Sequence, residues 1–239
     1  MTRITVLQPE ADVPLDRFAD WLDAELDIVE LWRSPVPQLE ACGDAILVLG
    51  GRMNALDHEA TPWLADVKSL LRQAHAVQRP VLGICLGHQI IADAFGGTVT
   101  LEADLVGDLA GGEEGAFEIT WTDAALQDPV VSEVARAGQG VVPESHNDVV
   151  TVLPSGATLL ASSAKYACQA FRLGSLISFQ FHPEASPPTL QLWTDGHGGD
   201  DAAIRAEMEA VDADVQRLGR GIAEGFVASL LKTAPRETH

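Results

Sequence analysis

Cys85 ends an apolar run in Val81-Leu82-Gly83-Ile84-Cys85-Leu86-Gly87-His88-Gln89, with glycine at both second neighbours. A nucleophile framed as Gly-x-Cys-x-Gly marks a strand-to-helix elbow. Small flanks let the backbone turn sharply and leave the central side chain exposed above a sheet. The helix that follows aims its N–H groups and positive dipole end at the sulfur, which favours a thiolate and a developing oxyanion. Such a cysteine needs a base, to be found among His58, His75, His88, His146, His182, His197 and His239. His182 closes the apolar run Ser178-Phe179-Gln180-Phe181. Glu184 lies two residues on, on the same side if the backbone is extended, with Pro183 fixing φ between them. A carboxylate there could fix the imidazole tautomer and stabilise its cation. By residue type, Cys85, His182 and Glu184 form a nucleophile–base–orienter set; the plainer alternative makes His182 a polar turn residue.

The elements that must carry these groups follow an α/β order. Ile4–Leu7 predicts a first strand, and Leu15, Phe18, Leu22 and Leu26 keep helical spacing before a second strand at Asp27–Leu31. Ala45–Leu49 is a continuous apolar run ending at Gly50-Gly51, as expected of a strand covered on both faces. Thr61-Pro62 predicts a helix start, with Trp63, Leu64, Val67, Leu70, Leu71, Ala74 and Val77 as its apolar stripe. Val81–Ile84 and Gly87–Phe95 supply the elbow's strand and helix. The order predicts a three-layer, mostly parallel open sheet flanked by helices, of the flavodoxin-like kind. Short β-like pieces then follow: Thr98–Leu101, Phe117–Trp121, Val149–Leu153, Ala157–Ala161, Cys168–Phe171 and Leu176–Phe181. They predict a small antiparallel addition. From Ile204 through Met208, Val211, Val215, Leu218, Ile222 and Phe226 to Leu230 the spacing is helical again, with Gly219, Gly221 and Gly225 expected to weaken its second half. The expectation is one domain over 1–239, with a core over about 1–186 and a C-terminal helical extension over about 187–239.

Composition excludes several classes. Thirty-five acidic against 15 basic residues give a net charge of −20, a surface that repels nucleic-acid phosphates and anionic membrane. No apolar stretch reaches the roughly 18 residues of a membrane span, and the apolar start is too short for a signal peptide. Three widely spaced cysteines point to a reducing, cytoplasmic setting without a disulfide framework. Cys42 and Cys168 lack an elbow and read as small buried residues, and the scattered tryptophans as packing aromatics. His88 could approach the thiolate or pack in the first helical turn; His146 could line a pocket or lie on the surface. Asp195–Asp201, with His197, lacks dedicated metal spacing and reads as a solvated loop, and no metal site is expected.

Gly83-Ile-Cys-Leu-Gly-His-Gln89 together with Gln180-Phe-His-Pro-Glu184 resembles the class I (triad-type) glutamine amidotransferases, closest to the amidotransferase domain of GMP synthase and stand-alone relatives. The resemblance spans about Ile4 to Ser186. It implies that Cys85 is the nucleophile, His182 its base and Glu184 the third triad member. It implies an oxyanion hole from the backbone N–H groups of Leu86 and of Gly51 in Gly50-Gly51. It assigns Gly50 to substrate binding and Gln89 to binding the substrate's amino-acid head, and tips Ser145-His146-Asn147-Asp148 toward lining the same pocket. Where the family often has Gly-Gly-Pro, this chain has Gly50-Gly51-Arg52, a departure that could reshape the loop over the pocket. No Walker-type phosphate loop and no synthase domain is evident, so a full GMP synthase in one chain is not expected.

The chemistry implied is hydrolysis of glutamine or a γ-glutamyl amide through a thioester, without a cofactor. Three classes stay open: a protein that hands ammonia to a separate synthase, a partner-independent γ-glutamyl peptidase or hydrolase, and a non-catalytic binding module. The intact Cys85, His182 and Glu184 argue against the third.

Overall fold

The computed structural model describes residues 1–194 and 201–233. Eleven strands are described: β1 (Arg3–Gln8), β2 (Glu25–Glu30), β3 (Ala45–Val48), β4 (Val81–Ile84), β5 (Thr98–Thr100), β6 (Glu113–Trp121), β7 (Gly140–His146), β8 (Val149–Val152), β9 (Thr158–Ser163), β10 (Ala170–Leu173) and β11 (Leu176–Phe179). The helices are α1 (Phe18–Trp21), α2 (Leu64–Ala76), α3 (Leu86–Ala94), α4 (Ser132–Arg136), α5 (Pro187–Thr194) and α6 (Asp201–Thr233). Nine strands form one open sheet in the order β2-β1-β3-β4-β11-β10-β9-β6-β7. The block β2-β1-β3-β4-β11 is parallel, and β10, β9, β6 and β7 extend it antiparallel. β5 and β8 make a separate antiparallel pair. The fold is the expected α/β open sheet with antiparallel additions and a C-terminal helix.

Alternation along β3 shows how the sheet is covered. Ala45 and Leu47 pack with Phe18 of α1 and Leu218, Ile222 and Phe226 of α6, whereas Ile46 and Val48 pack with Leu64, Val67 and Leu71 of α2. Both faces are buried, so the run needs no polar residue. Burying one such Leu or Ile side chain stabilises the fold by about 1.5–3 kcal/mol.

Several boundaries depart from the sequence reading. The helical spacing ending at Leu26 overstates α1: Leu22 turns extended, and Leu26 joins β2, paired with Ile4. Pairing to β1 outweighs helical periodicity there. Thr61-Pro62 forms a turn, and α2 begins only at Leu64, whose N–H donates to the Thr61 carbonyl. Val77 is exposed rather than part of the stripe, while Lys68 is buried, its Nζ reaching the Ala55 carbonyl at 2.8 Å and Asp93 at 2.7 Å. β7 had no counterpart in the sequence reading. It is the edge strand of the large sheet, the place where Pro143 is tolerated. The glycines of α6 do not interrupt it: the helix is continuous from Asp201 to Thr233. A β-carbon at Gly219 would lie 2.1 Å from the Pro183 carbonyl oxygen and one at Gly225 2.1 Å from that of Val130, so these glycines let the helix approach the backbone. The loop expected at 195–201 lies, over 195–200, outside the described residues. Among the described residues no helix is long and apolar enough to cross a membrane.

Candidate active site

Cys85 sits between β4 and α3 with φ 49° and ψ −103°, a conformation that a non-glycine residue holds only under constraint from its surroundings. Its N–H donates to the Phe179 carbonyl at 2.8 Å, which ties the elbow to β11. The flanking glycines act through space. A β-carbon at Gly87 would stand 2.3 Å from the Val48 carbonyl oxygen, and one at Gly83 2.8 Å from that of Gly87. Only glycine lets α3 seat this closely on the sheet, and that seating points its N-terminus at the sulfur.

β11 delivers the second group. After Phe179 the chain runs through Gln180 and Phe181 to His182, whose N–H donates to the Pro143 carbonyl in β7 at 2.9 Å. Cys85 and His182 both stand against Gly50: a β-carbon there would lie 3.5 Å from Cys85 Cβ and closer still to the His182 ring. His182 Nδ1 is 2.8 Å from Glu184 Oε1. The pair does not meet along extended backbone, as the sequence reading supposed. Pro183 and Glu184 form a turn, closed by the Ala185 N–H donating to the His182 carbonyl at 3.1 Å. Burial alone would pull the His182 imidazole down, but the charges of Glu184 and Cys85, and hydrogen bonds with both, raise it to about 10. A raised value makes the ring a strong proton acceptor and favours the imidazolium that would form beside a thiolate. Glu184 is fully buried behind it.

Cys85 and His182 open onto a cavity of about 620 Å³ whose wall also includes Gly51, Gln89, Ser145, His146, Asn147 and Asp148. Gly50 and Leu86 stand just behind. A methyl group at Gly50 would lie 2.9 Å from His182 Cε1, and one at Gly51 would lie 3.1 Å from a Leu86 methyl. The three candidate triad residues, Gly50, Gly51, Leu86, Gln89 and the Ser145–Asp148 segment thus gather at one end of the parallel strands. Gln89 Nε2 donates to the Asp148 carbonyl at 2.9 Å, fixing the Ser145–Asp148 segment against α3. Ser145 brings its carbonyl to 3.8 Å from Cys85 Sγ. His146 is no loop residue: it ends β7, buried, with Nε2 3.2 Å from Glu113. Arg52 borders the cavity, but its guanidinium is held by Asp12 at 2.7 Å and Glu10 at 3.2 Å, bracing the loops after β1 and β3 against each other.

His88 faces away from the sulfur. Its Nδ1 is 2.9 Å from Ser178 Oγ, its ring packs on Phe171, and burial holds it at about 3 and therefore neutral. Cys42 and Cys168 are buried and unpaired, and burial pushes the Cys168 thiol up to about 12. His197 and His239 lie outside the described residues. Four further neighbours were given no role in the sequence reading. Trp193 of α5 covers the His182 ring at 4.4 Å between centroids and donates its Nε1–H to the Asp12 carbonyl. Gln180 brings Nε2 to 3.8 Å from Cys85 Sγ. Glu113 and Glu144 lie beside His146, and burial together with the Glu113 charge pushes Glu144 well above the usual carboxylate range. Gln180 opens the motif that holds His182, and Glu144 directly precedes Ser145, so both had a positional signal; Trp193 and Glu113 come from elements that neither motif touches.

A family model described as glutamine amidotransferase class-I matches residues 21–191. The chain is similar to a subunit of the glutamine-hydrolysing GMP synthase of Halobacterium salinarum, 30% identical over 162 residues that cover 66% of this chain and 75% of that one. It is also similar to γ-glutamyl peptidase 5 of Arabidopsis thaliana, 31% identical over 143 residues covering 59% of this chain and 53% of the other. In structure it resembles a glutamine amidotransferase from Methylobacillus flagellatus, with TM-score 0.80 and 26% identity over 100% of this chain and 98% of that one.

Proposed function

The chain belongs to the class-I glutamine amidotransferase family, and from that premise we propose that it hydrolyses glutamine or a γ-glutamyl amide through a thioester on Cys85. The observation that carries this reading is the Cys85–His182–Glu184 arrangement at the mouth of a cavity, on a strained elbow at a helix N-terminus. His182 takes the thiol proton and holds it as imidazolium, and Cys85 attacks the γ-carbonyl carbon. The N–H groups of Leu86 and Gly51 receive the oxyanion, each such donor contributing about 2.7–4 kcal/mol in comparable sites. His182 then gives its proton to the leaving nitrogen, releasing ammonia or a larger amine. Water, deprotonated by the same imidazole, cleaves the thioester to glutamate and restores the thiol. Glu184 keeps Nδ1–H directed at itself and so leaves Nε2 to the sulfur. The Ser145–Asp148 segment and Gln89 border the space for the amino-acid head.

Two fates of the amine are supported by different relatives. Likeness to a GMP synthase subunit favours delivery of ammonia to a separate synthase. Likeness to a γ-glutamyl peptidase, together with a 620 Å³ cavity, favours release of a substituted amine without a partner. Glutamate release from glutamine and from a panel of γ-glutamyl amines, measured for the purified chain and for Cys85→Ala, tests the proposal. We expect the variant to lose turnover by a factor on the order of 10³ or more. Equal release by the two proteins overturns the assignment of Cys85. Activity confined to substituted amines selects the partner-independent hydrolase.

A further inference from the structure

Beside the proposed nucleophile lies a second cluster to which the proposed bond making gives no role. Glu113 in β6 is the cross-strand partner of His146 in β7, and Glu144, two residues before His146, stands on the same face opposite Gly115. Strand pairing thus aims two carboxylates and an imidazole at one point. His146 Nε2 is 3.2 Å from Glu113 Oε2 and 3.4 Å from Glu144 Oε2, and each of the three side chains is at most 1% exposed.

The cluster holds too many acceptors. Ser163 Oγ and Gln169 Nε2 both donate to Glu113, at 2.8 and 2.6 Å. Among the described residues, nothing hydrogen-bonds to either oxygen of Glu144, to His146 Nδ1 or to Gln169 Oε1. Buried carboxylates without donors are costly, and a cation is the group that would satisfy several of them at once. The spacing suits one: a tetrahedral ion with bonds near 2.1 Å sets its ligand atoms about 3.4 Å apart.

We propose that Glu113, Glu144 and His146 form a three-ligand site for a divalent transition metal. An imidazole with two carboxylates suits Zn²⁺ and its first-row neighbours. Ser163 and Gln169 hold Glu113 in place as outer partners do around such ions. Glu113 and His146 also border the cavity, which gives the ion an entry path and a fourth position open to water. Ser145 lies between two of the ligands and meets Cys85 through its carbonyl, so an ion here braces the strand against the nucleophile. The site shares the cavity wall with the proposed hydrolysis through His146 but takes no part in its bond making.

The test uses full-length chain carrying Cys85→Ala, stripped with chelator, so that a thiolate–imidazole pair cannot capture the ion. Titration with Zn²⁺ by calorimetry is expected to give one equivalent. Adding Glu144→Gln or His146→Gln is expected to weaken binding at least about tenfold. Circular dichroism and melting without metal identify which variants stay folded, and only folded ones are compared. Co²⁺ is expected to give a visible spectrum without thiolate-to-metal charge transfer. Absence of stoichiometric binding by Cys85→Ala, or affinity untouched in both folded double variants, overturns the proposal.

Discussion

At the scale of single residues, His182 is governed by opposing effects, and their balance is testable. Burial disfavours its charge, but Glu184 and Cys85 hold it at about 10 in the folded chain, against about 6.5 when unfolded. Because the folded value is raised, its contribution to stability is fully present below about pH 6.5 and is lost as pH rises through about 10. Glu184→Gln removes the strongest of the charges that raise it. We expect that variant to lose turnover by roughly 10²–10⁴-fold. Its alkaline limb of activity should fall below that of the native chain, and its stability deficit should be larger at pH 6 than at pH 10 in urea titrations. A limb that stays in place would show that Glu184 does not set the imidazole's proton. The residue types here were readable in advance because Gly-x-Cys-x-Gly and His-Pro-Glu each carry local information. Trp193 and Glu113 were not readable, because helix docking and strand pairing bring them to the site; Glu144 stood beside Ser145, but nothing local showed it buried against Glu113 and His146.

At the scale of elements, the elbow is seated at Gly87, where α3 meets the backbone of β3 with no side chain between. Gly87→Ala places a methyl group 2.3 Å from the Val48 carbonyl oxygen, a backbone atom that cannot move aside without shifting the strand. We expect a stability loss of about 1–3 kcal/mol by urea denaturation, with a fall in turnover as the helix N-terminus leaves the sulfur. Full activity with unchanged stability would contradict the close seating. The parallel strands β1, β3 and β4 were legible because runs buried on both faces need no polar residue. β7 was hidden for the opposite reason. Pro143, Glu144 and His146 break its apolar pattern, yet the two ionisable residues face a buried site and the proline sits on an edge strand.

At the scale of the whole molecule, α5 and α6 close the functional end of the sheet rather than trail from it. Met208 and Val215 of α6 pack with Leu190 and Trp193 of α5 and with Ala185, next to Glu184. Arg17 links Asp212 of α6, at 2.8 Å, to the Ala185 carbonyl. Gly219 lets α6 touch the Pro183 carbonyl. Gly219→Ala should therefore lower both melting temperature and turnover, because the helix and the turn bearing His182 and Glu184 move together. Arg205→Ala, which removes an exposed pair with Glu209, should change neither measurably. The helical period of α6 was legible from its apolar residues, but the close approaches of its glycines were not, because sequence shows their conformational cost and not the backbone they approach. The account of the molecule as a hydrolase is tested most directly by intact-mass spectrometry on chain quenched during turnover of its fastest γ-glutamyl substrate. A hydroxylamine-sensitive γ-glutamyl adduct on Cys85, absent from Cys85→Ala, is the predicted result; an acyl group on any other residue, or undiminished glutamate release by the variant, would contradict it.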